Sequence, residues 1–148
     1  MFSASIIRLN SLLISLCVLF FVTSAWADTL PQVQLQIGMH IVKAEVAANN
    51  ESRMQGLMFR KNLEKNQGML FVFDSSDLHA MWMKNTPLPL SVAFIDEKGV
   101  ILNIEEMKPF TDAIHAATKP AKYALEMNSG WFNQKGIKAG DIITNLKF

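Results

Sequence analysis

Residues able to do chemistry are few in this chain, and the densest group lies in "HAMWMKNTPLPL", His79 to Leu90. His79, Met81 and Met83 occupy every second position there, and residues two apart on a strand share a face. An imidazole with two thioethers is a soft donor set for Cu(I), with Trp82 available as a π-donor cap. The competing reading is packing, because an inward strand needs apolar groups at alternate positions and methionine fills irregular cores. Strand geometry also sends Trp82 to the face opposite Met81 and Met83, which favours packing over a metal site.

The polar residues that follow raise a second possibility. Lys84, Asn85 and Thr86 precede Pro87 and Pro89, and prolines cannot donate to a ladder, so the chain is expected to reach a sheet rim. A rim can present donors to a ligand. Glu126 is a carboxylate inside an otherwise apolar strand, and Arg60 follows a short helix. Isolated charges in such surroundings are costly, so Lys84 and Glu126 are expected to pair. Read structurally, the pair fixes strand register, and losing one partner costs about 3–5 kcal/mol. Read functionally, Arg60, Trp82, Lys84, Asn85, Thr86 and Glu126 form a ligand-binding cluster at a pocket mouth, suited to an anionic or hydroxyl-rich ligand.

Support for catalysis is thin. No Gly-x-Ser-x-Gly elbow, phosphate loop or His-Glu-x-x-His is present. His40, His79 and His115 are scattered, and His115 in "DAIHAATKP" is expected to be an exposed loop residue. A Lys84–Glu126 pair acting as general base and acid is the one enzymatic alternative. No cofactor or metal is expected.

The N-terminus carries an address. Arg8 precedes an apolar run from Leu12 to Val22, and Ala25-Trp26-Ala27 has small residues where a signal peptidase reads them. Residues 1–27 are therefore expected to be a signal peptide cleaved before Asp28, with an uncleaved anchor as the alternative. The run is short against the roughly 20 residues of a spanning helix. Cys17, the single cysteine, leaves with it, so residues 28–148 hold no disulfide or thiolate. Removing Arg8 also leaves 13 basic residues against the 13 acidic ones. That balance argues against nucleic acid or an anionic membrane as partner.

The elements that must position these residues are mostly strands. "VQLQI" and "HIVKAEVA" alternate about Gly38-Met39 and predict a hairpin. "NNESRMQGLMFR" predicts a short helix capped at Asn49 or Asn50, with Met54, Leu57 and Met58 as an apolar stripe and Gly56 closely packed in its interior. "GMLFVF", "AMWMK" and "AKYALEM" read as strands, and "LSVAFI" pairs with "VILNIEEM" across Asp96-Glu97-Lys98-Gly99. "SGWFNQKG" predicts one or two helical turns from a Ser129 cap to Gly136. Its Trp131 and Phe132 would line a sugar- or partner-binding edge or plug one end of a barrel, and the plug is favoured. The last segment turns at Gly140-Asp141 into a strand. The fold class is mainly β: a compact barrel or sandwich of seven or eight short strands with one or two short helices.

With these blocks placed, the sequence resembles the domain of unknown function family 192 of bacteria and archaea. The matching pieces are "RMQGLMFR", "GMLFVF", "MWMKNTPLPLSVAFID", "GVILNIEEMKP" and "YALEMNSGWFNQKGIKAGDII". The resemblance implies a compact β-rich fold, often exported, whose biochemical role is not established. Where members resemble Phe-Trp-Met, this chain has Met81-Trp82-Met83, so Met81 stands in for an aromatic core residue.

Together these readings describe a monomeric periplasmic binding or accessory module, not stably inserted in the membrane after signal cleavage. Its partner is expected to be a small molecule or an envelope protein, at the rim around residues 82–86. The alternatives are an envelope enzyme using Lys84 and Glu126, and a Cu(I) carrier using His79, Met81 and Met83.

Overall fold

Apolar alternation in residues 32–47 builds the first hairpin of the computed structural model, which describes residues 29–147. β1 (Gln32–Ile37) and β2 (His40–Ala47) pair antiparallel across Gly38-Met39. The expected signal peptide lies outside the described residues. Helix α1 (Asn50–Gln55) then crosses over to β3 (Gln67–Asp77), which runs parallel to β2. After the two-residue β4 (Ala80–Met81) the chain forms β5 (Leu90–Ile95) and β6 (Ile101–Met107), an antiparallel hairpin. The two-residue β7 (His115–Ala116) pairs with β4, and β8 (Ala121–Asn128) lies between β5 and β3. Helix α2 (Trp131–Gln134) and β9 (Ile143–Thr144) finish the chain.

Seven strands make one sheet in the order β6-β5-β8-β3-β2-β1-β9. The sheet curls until its edges meet: Val100 bridges Ile142, and the Ile143 N–H donates to the Gly99 carbonyl at 2.8 Å. Gly99 has φ +86°, and a Cβ there would lie 2.3 Å from the Ile143 carbonyl oxygen. The closing contact thus needs glycine for both its conformation and its space. Upstream, Asp96 Oδ1 accepts the N–H groups of Lys98 and Val100, which sets the turn.

Each face of the sheet carries its own core. The inner one gathers Leu35, Val42, Leu70, Ala93, Ile95, Leu125 and Met127, and α2 closes it with Trp131 and Phe132, 3% and 1% exposed. The barrel-plug reading of those aromatics holds. Trp131 keeps its indole N–H satisfied by Asn66 Oδ1 at 3.2 Å. The outer core gathers Met69, Phe71, Met83, Leu88, Leu90, Val92 and Phe94 beneath α1 and the loop after β4. Among the described residues no helix is long and apolar enough to cross a membrane.

Local details correct the sequence reading. The helix stops at Gln55, with Gly56 as its C-cap at φ +48°, so Gly56 is a terminator, not an interior residue. The expected apolar stripe fails, because Ser52 is the buried helical residue and Met54 is 76% exposed. Ser52 is buried because it forms a capping box with Asn49. Ser129 does not cap α2. Gly130 holds that position, and Ser129 Oγ donates to Glu106 at 2.7 Å. His115 is in β7, not an exposed loop, and its Nε2 is buried with no partner among the described residues. The strand expected through Lys84 ends at Met81.

Candidate functional site

Glu126 owes its position to strand alternation. β8 is central, so both of its faces are covered, and Glu126 points to the outer side with Ala124 while Leu125 and Met127 point inward. Its partners across the two ladders are Met69 and Val92, both apolar. The residue is 3% exposed, and its carboxyl makes no side-chain hydrogen bond or ion pair among the described residues. Desolvation disfavours its charged form, and burial pushes the carboxyl up to about 8 from an ordinary 4.5.

The predicted Lys84–Glu126 pair is absent from the structure. Lys84 is exposed and its Nζ lies 5.2 Å from the centroid of the Trp82 ring, a cation–π arrangement. The reason is the early end of β4. Once the chain leaves the strand at Met81 it turns, and Lys84 and Asn85 reach solvent while Met83 and Thr86 stay buried.

That turn is held rigidly. Asn85 adopts φ +54°, which asparagine tolerates better than most residues. Its carbonyl accepts the Phe59 N–H at 2.9 Å, and the Thr86 carbonyl accepts the Phe110 N–H at 3.2 Å. The Met83 N–H donates to Thr111 at 3.1 Å, and Thr86 Oγ donates to the Lys84 carbonyl at 3.1 Å. Two neighbouring loops therefore clamp the Trp82–Thr86 segment to the rim.

Between this rim and α1 runs an open groove of about 1030 Å³, walled by Met54, Met58, Phe71, Phe73, Met81 and Trp82. Its polar edge includes Arg53, Lys84 and Asn85. Adjoining it is a slot of about 30 Å³, lined by Gly56, Thr86, Trp82 and Glu126. Room for about one water-sized group is left there. Glycine at position 56 lets the end of α1 approach the Phe71 ring, from which a Cβ there would lie only 3.3 Å.

Of the six predicted site residues, five gather here: Trp82, Lys84 and Asn85 on the groove, Thr86 and Glu126 on the slot. Arg60 does not join them. Its guanidinium forms a two-pronged pair with Glu45, at 2.8 and 2.5 Å, and borders a separate pocket beside Asn49 and Ser52. The Glu45 carboxylate raises the Arg60 pKa, against an opposing effect of burial. Arg60 is therefore a tie between the loop after α1 and β2.

Two of the three copper candidates are engaged elsewhere. Met83 is fully buried in the outer core, whereas the His79 ring stacks on Phe73 at 3.7 Å and its Nε2 lies 2.9 Å from the Ser75 carbonyl. Met81 packs half-buried against the same core as Met83, in keeping with its reading as a stand-in for an aromatic. No cluster of three or more His, Cys, Asp or Glu residues suited to a metal occurs among the described residues.

Reading the sequence missed Arg53, Phe71 and Phe73 as groove residues. The suspicion of close packing at Gly56 was the one signal that pointed there. Arg53 is itself committed: it donates to the Ala48 and Val72 carbonyls at 2.8 Å and pairs with Asp74 at 2.9 Å.

Comparison with known proteins locates the chain among relatives. The family described as "Uncharacterized ACR", DUF192, matches residues 33–145. No curated protein matches. A crystal structure from Sinorhizobium meliloti 1021, described as that of a proposed transcription regulator, is 37% identical. It aligns over 76% of this chain and 91% of that one, with a TM-score of 0.71. A protein of unknown function from Novosphingobium aromaticivorans DSM 12444 is 30% identical over 80% of this chain and 88% of that one, with a TM-score of 0.76.

Proposed function

The chain belongs to the domain of unknown function family 192, and from that premise we propose that it is an exported periplasmic binding or accessory module. Its ligand site is the groove between α1 and the Trp82–Thr86 rim. One observation carries the reading: an unpartnered buried carboxyl, Glu126, lines a slot at the foot of a mostly apolar groove. Placing a carboxyl without a protein partner in an almost wholly buried position costs stability, even where a narrow slot reaches it. A fold that spends this on a central strand gains nothing in packing, whereas a site that receives a ligand gains a selective contact. Apolar walls with a few convergent polar groups are the usual form of a small-molecule site.

Export is supported by the charged start, apolar run and Ala-Trp-Ala ending of residues 1–27. N-terminal sequencing of protein from the periplasmic fraction should begin at Asp28. A chain retained in the cytoplasm with Met1 intact would overturn export. Native mass spectrometry of protein purified from its own cells should show an adduct that is lost in Trp82→Ala. An adduct-free spectrum would overturn the binding reading.

The enzymatic alternative keeps one supporting observation, since an acid still protonated near neutral pH beside a cleft suits general-acid catalysis. It would have to work without Lys84 as a paired base. A regulatory role like that named for the Sinorhizobium meliloti protein draws no support from charge, which balances across residues 28–148.

A further inference from the structure

Resting on the groove reading above, we propose that the ligand presents a primary ammonium at the end of a slender apolar chain and seats it on Glu126. The donor accounting of the slot leads there. Around Glu126 no wall donor reaches the carboxyl: the Gly56 N–H goes to Ser52 at 2.9 Å, the Thr86 N–H to Met83 at 3.1 Å and Thr86 Oγ to Lys84 at 3.1 Å, and Trp82, Gln55 and Arg53, which also line the slot, make no bond to it. The carboxyl therefore has a place for a donor that the fold itself does not supply, and a ligand can bring it.

Size and charge narrow the class. A slot of about 30 Å³ takes one heavy atom with its hydrogens, which an ammonium supplies and a planar guanidinium exceeds. A carboxylate or phosphate could use only the single O–H of the neutral acid and would be repelled once that acid ionises. At the mouth of the slot, the Trp82 face already attracts an ammonium, that of Lys84. Beyond it, Phe71, Met54 and Met81 offer apolar surface for a methylene chain.

The charged groups nearby are Arg53 and Glu51 on α1 and Lys84 on the rim. Arg53 is paired with Asp74, and none of the three pairs with Glu126. The strands flanking it contribute only Met69 and Val92 at its level. Seating therefore releases one proton. The neutral Glu126 carboxylic acid releases its proton to solvent, and the resulting carboxylate meets the incoming ammonium, whose own proton count is unchanged.

Hexylammonium, 1-hexanol and hexanoate, titrated into the purified protein by calorimetry from pH 5.5 to 8.5, test this. Hexylammonium should bind with affinity rising about tenfold per pH unit below pH 7.5, releasing close to one proton as read in buffers of different ionisation enthalpy. Glu126→Gln should weaken it at least tenfold. Trp82→Ala, on a ring already 47% exposed, should fold normally and weaken it less. Equal, pH-independent binding of hexanol would overturn the ammonium assignment and leave the groove reading standing. Silence from all three probes would also overturn it, while an adduct lost in Trp82→Ala would still uphold the groove.

Discussion

The two faces of the sheet share strand β8, residue by residue, yet serve opposite ends. Inward, Leu125 and Met127 meet Leu70, Ala93 and the Trp131–Phe132 plug in a core whose one indole donor is satisfied. Outward, Ala124 and Glu126 meet Met69, Phe71 and Val92, and the covering layer stops short, leaving a slot over the carboxyl. The inner face is filled by a segment shaped to it. The outer face is roofed by α1 and a rim loop, both short and both held at their ends by caps and backbone bonds. A roof built from loops can leave a gap that close-packed strands and a plug cannot.

The contrast can be broken most forcefully from the inside. Phe132→Ala empties the plug and should destabilise the fold by about 3–5 kcal/mol, measured by urea unfolding. A loss under 1 kcal/mol would mean that the inner core tolerates a gap as the outer one does.

Next in size is the pH dependence owed to Glu126. Its carboxyl ionises at 4.5 in ordinary surroundings and at about 8 in the fold. Between those values the folded chain holds a proton that the unfolded chain has released, so stability falls as pH rises. The contribution is full below pH 4.5, declines up to about pH 8 and then levels off. Compared at each pH with Glu126→Gln, the native chain should lose on the order of a few kcal/mol across that window. An unchanging difference between the two would show the carboxyl to be hydrated or partnered, and the faces to be less distinct.

Arg60→Ala should cost about 1 kcal/mol or less, because its pair with Glu45 is partly exposed and solvent screens it. A larger loss would make the loop after α1 a structural support of the roof. Lys84→Ala should change stability least, by at most about 0.5 kcal/mol. Had this lysine been buried against Glu126, about 3–5 kcal/mol would have been lost. This substitution thus separates the observed rim from the predicted ion pair by thermal melting alone.

Local signals were enough for much of the fold. Period-two alternation, the Gly38 and Gly99 turns and the Asp96 side chain specify two hairpins without reference to anything distant. The family resemblance, carried by motifs along the chain, was legible for the same reason, and so was Trp131–Phe132 as a plug. Around the site, the Trp82–Thr86 rim and the oddity of Glu126 were also visible, since prolines and a lone carboxylate stand out in an apolar context. What escaped was distance. The sequence shows that Lys84 and Glu126 each need an explanation, but whether they meet depends on where β4 ends, and backbone bonds to Phe59, Phe110 and Thr111 decide that. Arg60 found Glu45 because β2 passes beside it, 15 residues back along the chain. The pattern of residues determined which faces are apolar. The tertiary structure alone determined which polar groups lack partners, because satisfaction of a donor or acceptor is set by neighbours in space.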